Sequence, residues 1–371
     1  MTEPRSEGLR VGPLDAHHTA LGAAFTDFAG WRMPVRYGSD LAEHRAVREA
    51  AGLFDISHMA EFVIEGPDAA AFLDYALSGR LTDLPVGRAA YSLVLAADGG
   101  VVDDVVVYRL DEAWFLVIAN AGNRAPVAAA LSERAAGFRV LVEDASDSFA
   151  LLALQGPQAQ RVLDAIGLTE LERPLAEVPR YAATRGTFAG DQVLVARTGY
   201  TGEDGFELLV PEAAAGELWE ALLRAGEPFG LLPAGLAARD TLRLEAGMPL
   251  YGHELGLGIR PAQAGLARFV ALDKPSFVGR DGVRPRDDAP VLVGLMAEGR
   301  RAARAGYPVR SGEAVVGAVT SGILSPTLGV PLAMAFVAPS SSALGTALEL
   351  DVRGTRLPAT VTRLPFYRRK P

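Results

Sequence analysis

The 371-residue chain contains no cysteine. That removes disulfides, thiolate metal sites and thiol nucleophiles from consideration, and implies no oxidising compartment. Histidine is scarce, with five in all. His17 and His18 are adjacent and point apart. His44 and His58 lie on either side of a helix stop at Gly52, so no metal-binding H-E-x-x-H pattern exists, and surface or capping roles are expected of them rather than a metal site. No run of about 18 apolar residues occurs. The opening MTEPRSEGLR has no apolar signal core, so the sequence predicts a cytoplasmic protein with no membrane partner. Positive charge is the minority, 36 Lys and Arg against 45 Asp and Glu for a net −9, which argues against broad nucleic-acid binding. Basic residues cluster locally at Arg300, Arg301 and Arg304 and in the tail Arg368-Arg369-Lys370. Neither a phosphate-cradling glycine loop nor a nucleophile elbow is found.

What the chain does have is apolar residues, 49% of the total, enough for the two or three cores that its length implies. Three places share one pattern, an apolar strand running into proline and then an alanine-rich helix: Phe62 to Glu65 before Gly66-Pro67, Leu151 to Gln155 before Gly156-Pro157, and Phe206 to Val210 before Pro211. Proline suits a first helical turn, where its missing N–H would have had no partner. The first two places match further, Ala69, Phe72, Leu73 and Asp74 against Ala159, Val162, Leu163 and Asp164. They read as a faint internal repeat of strand-turn-helix units. Strands such as Tyr91–Leu95, Val101–Arg109 and Trp114–Ile118 complete antiparallel sheets, and the class is α+β. Beyond the charged, turn-rich stretch 282–288 the texture changes to short strands at Val291–Ala297, Glu313–Thr320, Pro331–Val337 and Thr346–Val352, the mark of a small closed or sandwiched β-domain.

Three polar stretches stand out against this apolar background. "GGVVDDVVVYR", residues 99–109, sets Asp103 and Asp104 in a strand, where alternation puts Val101, Asp103, Val105 and Val107 on one face and Val102, Asp104, Val106 and Tyr108 on the other. Either one carboxylate is buried and must be partnered, or both are wet at the strand's start. "RTGYTGEDGFELLV", 197–210, carries Gly199, Gly202 and Gly205, which permit positive φ and close backbone approach, and then Glu207 between Phe206 and Leu208. Glu207 is either a cavity residue or a solvated hairpin residue. "GLAARDTLRLEAGMPLYGHE", 235–254, is a helix with Arg239 and Arg243 one turn apart, either a solvent-facing basic stripe or part of a site. One arrangement would unite them: a cavity where strand carboxylates and a helix guanidinium face a polar heterocycle, with Tyr91, Tyr108 and Tyr200 as flat walls. A carboxylate accepting two N–H groups from an amino-pyrimidine edge is a strong, charge-assisted contact.

These stretches, together with "FAGWRMPVRYGSDLAEHRAVREAAGLFDISHM", "ALLALQGP", "VTSGILSPTLG" and "PFYR", resemble the T-protein of the glycine cleavage system, the aminomethyltransferase family, over nearly the whole chain. The resemblance implies a three-domain cloverleaf around a central folate channel. Its first, discontinuous α+β domain would take residues 1–55 and 145–283, a second α+β domain 56–144 with the catalytic strand, and a C-terminal β-barrel 284–371. It implies tetrahydrofolate as co-substrate, lipoylated H-protein as partner, and no metal. The catalytic aspartate falls on Asp104, which also faces folate. The other folate contacts fall on Tyr91, Asn120, Tyr200, Glu207 and Arg239, and Asp103 becomes the structural member of its pair. The chain departs from the family pattern at Gly256, Leu257, Gln263 and Arg268. Alternatives within the same resemblance are a folate-dependent demethylase of a small methylated substrate and a non-catalytic folate-binding relative.

Overall fold

The computed structural model describes residues 8–369. The start of MTEPRSEGLR and Lys370 of the basic tail lie outside them. The chain forms two compact units that interleave along the sequence. Unit one takes Met1–Leu73, Leu81–Tyr91 and Val105–Arg239, and unit two takes Asp74–Arg80, Ser92–Asp104 and Asp240–Pro371.

Unit one holds a six-stranded sheet in the order Ala183–Phe188, Asp191–Ala196, Gly205–Pro211, Phe149–Gln155, Ala51–Asp55, Leu231–Pro233. Every neighbouring pair is antiparallel except the last, which is parallel. One face packs Leu152, Leu154, Phe206, Leu208 and Val195 against Leu218, Trp219 and Leu222 of the helix Ala215–Gly226. A second sheet runs Ala89–Leu95, Val101–Asp111, Trp114–Ala119, Ala60–Glu65, Leu141–Asp144, and the chain passes from one unit to the other inside its first two strands.

The repeat seen in the sequence is present, with one correction. Pro67 and Pro157 sit in a turn ahead of their helices, Ala69–Ala76 and Ala159–Ala165, and not in the first helical turn. Pro211 ends its strand and leads into a 3₁₀ turn. The preceding glycines explain why the turn recurs. Gly66 and Gly156 have φ of +141° and +130°. A Cβ on Gly66 would lie 2.3 Å from the Arg139 carbonyl oxygen, and one on Gly156 would lie 2.6 Å from that of Ala50. Backbone conformation and crowding both demand glycine there.

Unit two contains a closed antiparallel barrel in the order Val291–Ala297, Pro331–Val337, Ala314–Leu324, Pro308–Ser311, Ala347–Val352, Thr355–Thr362. Its interior is a small-residue and valine-rich core. Four of these strands match the sequence expectation. Pro308–Ser311 and Thr355–Thr362 were not foreseen, because one is only four residues long and the other carries a proline, Pro358, and little apolar alternation. The class is therefore α+β with antiparallel sheets and a C-terminal β-barrel, as the sequence predicts.

Unit two also fixes the start of the strand that carries the aspartate pair. In the Asp98-Gly99-Gly100 turn, a Cβ on Gly99 would meet the Gly282 carbonyl carbon at 2.2 Å, and one on Gly100 would meet the Leu257 carbonyl oxygen at 2.0 Å. The Val101 N–H reaches the carbonyls of Gly256 and Ile259 at 3.2 Å each.

A Gly156→Ala substitution should destabilise unit one by on the order of 2–4 kcal/mol, since it combines an unfavourable φ with a backbone clash. Urea denaturation measures this. The exposed Gly137, which has a positive φ of 90° but open space around it, should tolerate alanine with a smaller loss.

Candidate functional site

Asp103 is fully buried and Asp104 half-buried, so the strand alternates as its sequence predicts, while the reading in which both are wet at the strand's start is overturned. The turn ahead of the strand is packed under residues 256–259 and 282, and this closes the entry. The Tyr251 hydroxyl lies within electrostatic reach of the pair. Burial first, then Asp103 and Asp104, push its pKa up, which keeps it protonated next to the two carboxylates.

In unit one, Glu207 is half-buried between Phe206 and Leu208, which are fully buried on the opposite face. Its Oε2 accepts hydrogen bonds from the Thr198 hydroxyl and, at 3.2 Å, from the Tyr108 hydroxyl. Tyr108 and Thr198 are themselves 2.8 Å apart. Both neighbours grip the same carboxylate oxygen. Oε1 has no hydrogen bond among the described residues, so half of the carboxylate is oriented but unspent. Tyr108 corrects the expectation of three flat walls: it is buried, and it serves Glu207 through its hydroxyl, whose pKa burial and the neighbouring carboxylate raise well above the usual value.

The glycine loop feeding this strand is shaped by Gln155. That side chain is buried, donates to the Thr198 carbonyl at 3.1 Å and accepts from the Thr201 hydroxyl at 3.0 Å. A Cβ on Gly199 would lie 2.0 Å from the Gln155 amide oxygen, and only Gly202 of the three glycines needs a positive φ, +82°. Arg48 locks the loop with a buried ion pair to Glu203 at 2.9 Å and a 2.8 Å bond to the Thr201 carbonyl.

The two arginines of the helix Leu236–Glu245 part company. Arg243 is buried and holds Glu254 at 3.1 Å, Ser321 at 2.8 Å and the Met248 carbonyl at 3.2 Å, a structural knot rather than a solvent-facing stripe. Arg239 stacks over the Tyr200 ring, 4.8 Å from its centroid, and its Nη1 is buried without a hydrogen-bond partner. Burial lowers its pKa, while Tyr200 and Glu207 oppose that shift. The structure thus brings Tyr200, Glu207 and Arg239 together. Tyr91 is half-buried on the strand Ala89–Leu95, and Asn120 is half-buried where its carbonyl begins a 3₁₀ turn. Tyr91, Asp104, Asn120, Tyr200, Glu207 and Arg239 are each half-buried.

Sequence reasoning missed the histidines. His44 and His58 are buried, not surface residues, and no group of three His, Asp or Glu among the described residues could hold a metal. His18 bonds Asp55 at 2.8 Å through Nε2 and the Tyr37 hydroxyl at 2.9 Å through Nδ1. Burial raises the Asp55 pKa, yet the His18 and Ser57 bonds outweigh it and hold it below the usual carboxylate value. His58 sits three residues on, its ring edge-on to Phe28 at 5.5 Å and its Nδ1 buried without a partner. Its pKa is pushed down to about 4 by burial and then by Arg239, against an opposing pull from Asp55. The sequence contains Asp55-Ile56-Ser57-His58-Met59 plainly, but nothing in it tells that His58 is buried or that Arg239 acts on its pKa.

Two family models match the chain: the GCVT N-terminal domain over residues 14–274 and the glycine cleavage T-protein C-terminal barrel domain over residues 291–368. The chain belongs to the glycine cleavage T-protein family. It is 56% identical to the aminomethyltransferase of Cutibacterium acnes over 97% of this chain and 99% of that one. It is 53% identical to the aminomethyltransferase of Streptomyces avermitilis over 98% and 99%. Its fold is similar to the crystal structure of glycine cleavage system aminomethyltransferase T from Bartonella henselae, with a TM-score of 0.89, 38% identity and coverage of 97% and 98%.

His58 and Asp55 together set an acid limit on unit one. A neutral imidazole with a folded pKa near 4 against about 6.5 unfolded contributes stability that is present above pH 6.5 and lost as pH falls towards 4. The Asp55 contribution, from a carboxylate held below its usual value, is lost lower still. Stability should therefore drop by on the order of 2–3 kcal/mol between about pH 6.5 and 4, and His58→Asn should flatten that part of the profile in denaturant titrations.

Proposed function

We propose that this aminomethyltransferase passes the methylene of an aminomethyl group, carried on the lipoyl arm of an H-protein, to tetrahydrofolate, with release of ammonia and dihydrolipoyl H-protein. The observation that carries the reading is the pairing of an unspent carboxylate oxygen on Glu207 with an unpartnered, buried guanidinium nitrogen on Arg239 beside the Tyr200 ring. Acceptor, donor and flat face together fit an amino-pyrimidine ring. Tetrahydrofolate supplies the nitrogens that take the one-carbon unit.

In this reading Glu207 accepts N–H groups from the pterin edge, and Thr198 and Tyr108 hold its other oxygen so that the carboxylate cannot rotate away. Arg239 donates to a polar edge of the same ligand, with Tyr200 as its platform. Tyr91 and Asn120 complete the lining. Asp104 faces the reacting centre. The carbon in transit is cationic, so a fixed carboxylate lowers the barrier by opposing that charge, and it takes the proton that the attacking nitrogen loses. Asp103, fully buried on the opposite face of the strand, maintains the strand. The division into residues 1–55 with 145–283, 56–144 and 284–371 and a cytoplasmic location belong to the same proposal. The strands of the six-stranded sheet, of the second sheet and of the barrel fall within those three ranges respectively.

Ammonia release from aminomethylated H-protein, with and without tetrahydrofolate, tests the reaction. Turnover of small methylated donors without H-protein would overturn it in favour of a demethylase. Asp104→Asn should keep the fold and folate binding but lower turnover by about two orders of magnitude or more, and Asp103→Asn should cost turnover much less. Equal losses would remove Asp104 from its role. Glu207→Gln should weaken tetrahydrofolate by about 1.5–3 kcal/mol in calorimetry while the ligand-free melting temperature stays near wild type.

A further inference from the structure

The repeat visible in the sequence extends to whole sheets. The order Ala89–Leu95, Val101–Asp111, Trp114–Ala119, Ala60–Glu65, Leu141–Asp144 repeats, strand for strand, that of the six-stranded sheet without its last member. Setting Gly66-Pro67 on Gly156-Pro157 makes Glu61 the counterpart of Leu151 and Val63 that of Ala153. The cross-strand registers carry the match one strand further. Glu61 stands opposite Ile118 and Val63 opposite Leu116, as Leu151 stands opposite Leu209 and Ala153 opposite Glu207. Leu116 and Glu207 are therefore counterparts, and so are Ile118 and Leu209.

Leu116, Ile118, Leu151, Glu207 and Leu209 all line one cavity in unit one. Side chains directly opposite on paired strands share a face. Glu61 thus projects from the cavity face of its sheet, beside Ile118, in the place that Leu151 takes on the other sheet. Each sheet brings one carboxyl to this layer, Glu207 from one and Glu61 from the other.

Glu61 is 1% exposed, and neither of its carboxyl oxygens has a hydrogen-bond partner. Its backbone is engaged, the N–H donating to the Ser146 hydroxyl at 3.0 Å and the carbonyl accepting the Ala145 N–H at 2.9 Å. The cation that acts on it, Arg124, is spent on other carboxylates, on Asp144 at 2.7 Å and on both oxygens of Asp147 at 2.7 Å. Burial outweighs the pull of Arg124, Asp144 and Asp147 add to burial, and the neutral acid is favoured. A neutral carboxyl offers an O–H donor and a carbonyl acceptor. Leaving both unmet is costly, and the leucine at the equivalent place shows that an apolar side chain would serve the fold.

We propose that Glu61 forms a second polar subsite of this cavity and takes an uncharged donor–acceptor group, of the amide or lactam class, on the ligand that Glu207 receives. This rests on the reading of Glu207 as a tetrahydrofolate contact. Tetrahydrofolate carries two such groups, the lactam of its ring and the benzoyl amide of its tail.

Calorimetry of tetrahydrofolate binding to the full chain tests it, for wild type, Glu61→Gln and Glu61→Met. Glu61→Gln keeps a donor and an acceptor and should bind within about threefold of wild type. Glu61→Met keeps the length without the polar group. It should weaken binding about tenfold or more while the ligand-free melting temperature holds or rises, since an unmet buried carboxyl has been removed. Binding of Glu61→Met within about threefold of wild type overturns the proposal, as does a loss of about tenfold in Glu61→Gln with intact melting. A second readout needs no apolar variant. The infrared C=O band of the Glu61 acid, assigned by its loss in Glu61→Gln, should move to lower frequency when tetrahydrofolate is added, and a band that stays in place overturns the proposal. Repeating the titrations with 6-methyltetrahydropterin, which has the ring and no tail, separates the two sources: a Glu61→Met loss that persists assigns the ring lactam, and one that disappears assigns the benzoyl amide. Wild type that binds no tetrahydrofolate overturns the functional reading and this inference with it. Wild type that binds, and that is weakened by Glu207→Gln but not by Glu61→Met, overturns the inference alone.

Discussion

Opposite charges taken out of water must meet, and that requirement organises unit one and unit two alike. Arg48 with Glu203, Arg243 with Glu254, and Asp55 with His18 are pairs almost wholly removed from solvent. Each does positional work besides neutralisation. The first closes the glycine loop, the second ties the helix Leu236–Glu245 to the barrel strand through Ser321, and the third anchors the turn before Ala60–Glu65. Once these debts are settled, the polar atoms that remain buried and unmatched are few among the described residues. Arg239 and His58 are among them.

Glu61 shows the opposite solution. It is buried on the strand Ala60–Glu65 with neither carboxylate oxygen partnered, and burial raises its pKa well above the ordinary carboxylate value despite the opposing pull of Arg124. Burial thus favours its neutral form, whereas the paired carboxylates are met by a counter-charge. The two carboxylates of Glu61 and Glu207 sit on neighbouring sheets of one unit. Burial pushes one towards its neutral form, while the other is kept oriented by two hydroxyl donors.

Much of this was legible because it is local. The period-two alternation of Val101 to Tyr108 survives unchanged, the glycines of 199–205 do what their lack of a side chain suggests, and two barrel strands have the predicted bounds. What was not legible depends on partners far along the chain. Tyr108 meets a carboxylate 99 residues later, and His18 finds Asp55 37 residues on. No periodicity encodes such meetings. The departures at 256–268 became interpretable in the same way. Gly256 and Leu257 lend carbonyls to the packing of residues 100 and 101, Gln263 bonds the Arg260 N–H and the Pro290 carbonyl at 2.9 and 3.0 Å, and Arg268 rests on Phe269. They brace the chain locally, and nothing in the structure gives Arg268 a further role.

The close seating of Gly100 under the Leu257 carbonyl has a further consequence, for the order of events at the ribosome. The turn that starts the Asp103–Asp104 strand is complete only when a segment much later in the chain has been made. At about 5–20 residues per second, the interval between the synthesis of these two residues is on the order of 10–30 s. During that time the buried carboxylate of Asp103 has no finished setting, and the hairpin Ala89–Asp111 must either wait in solution or be sheltered. A nascent chain stalled before residue 256 would carry the aspartate pair on a strand whose base is still missing.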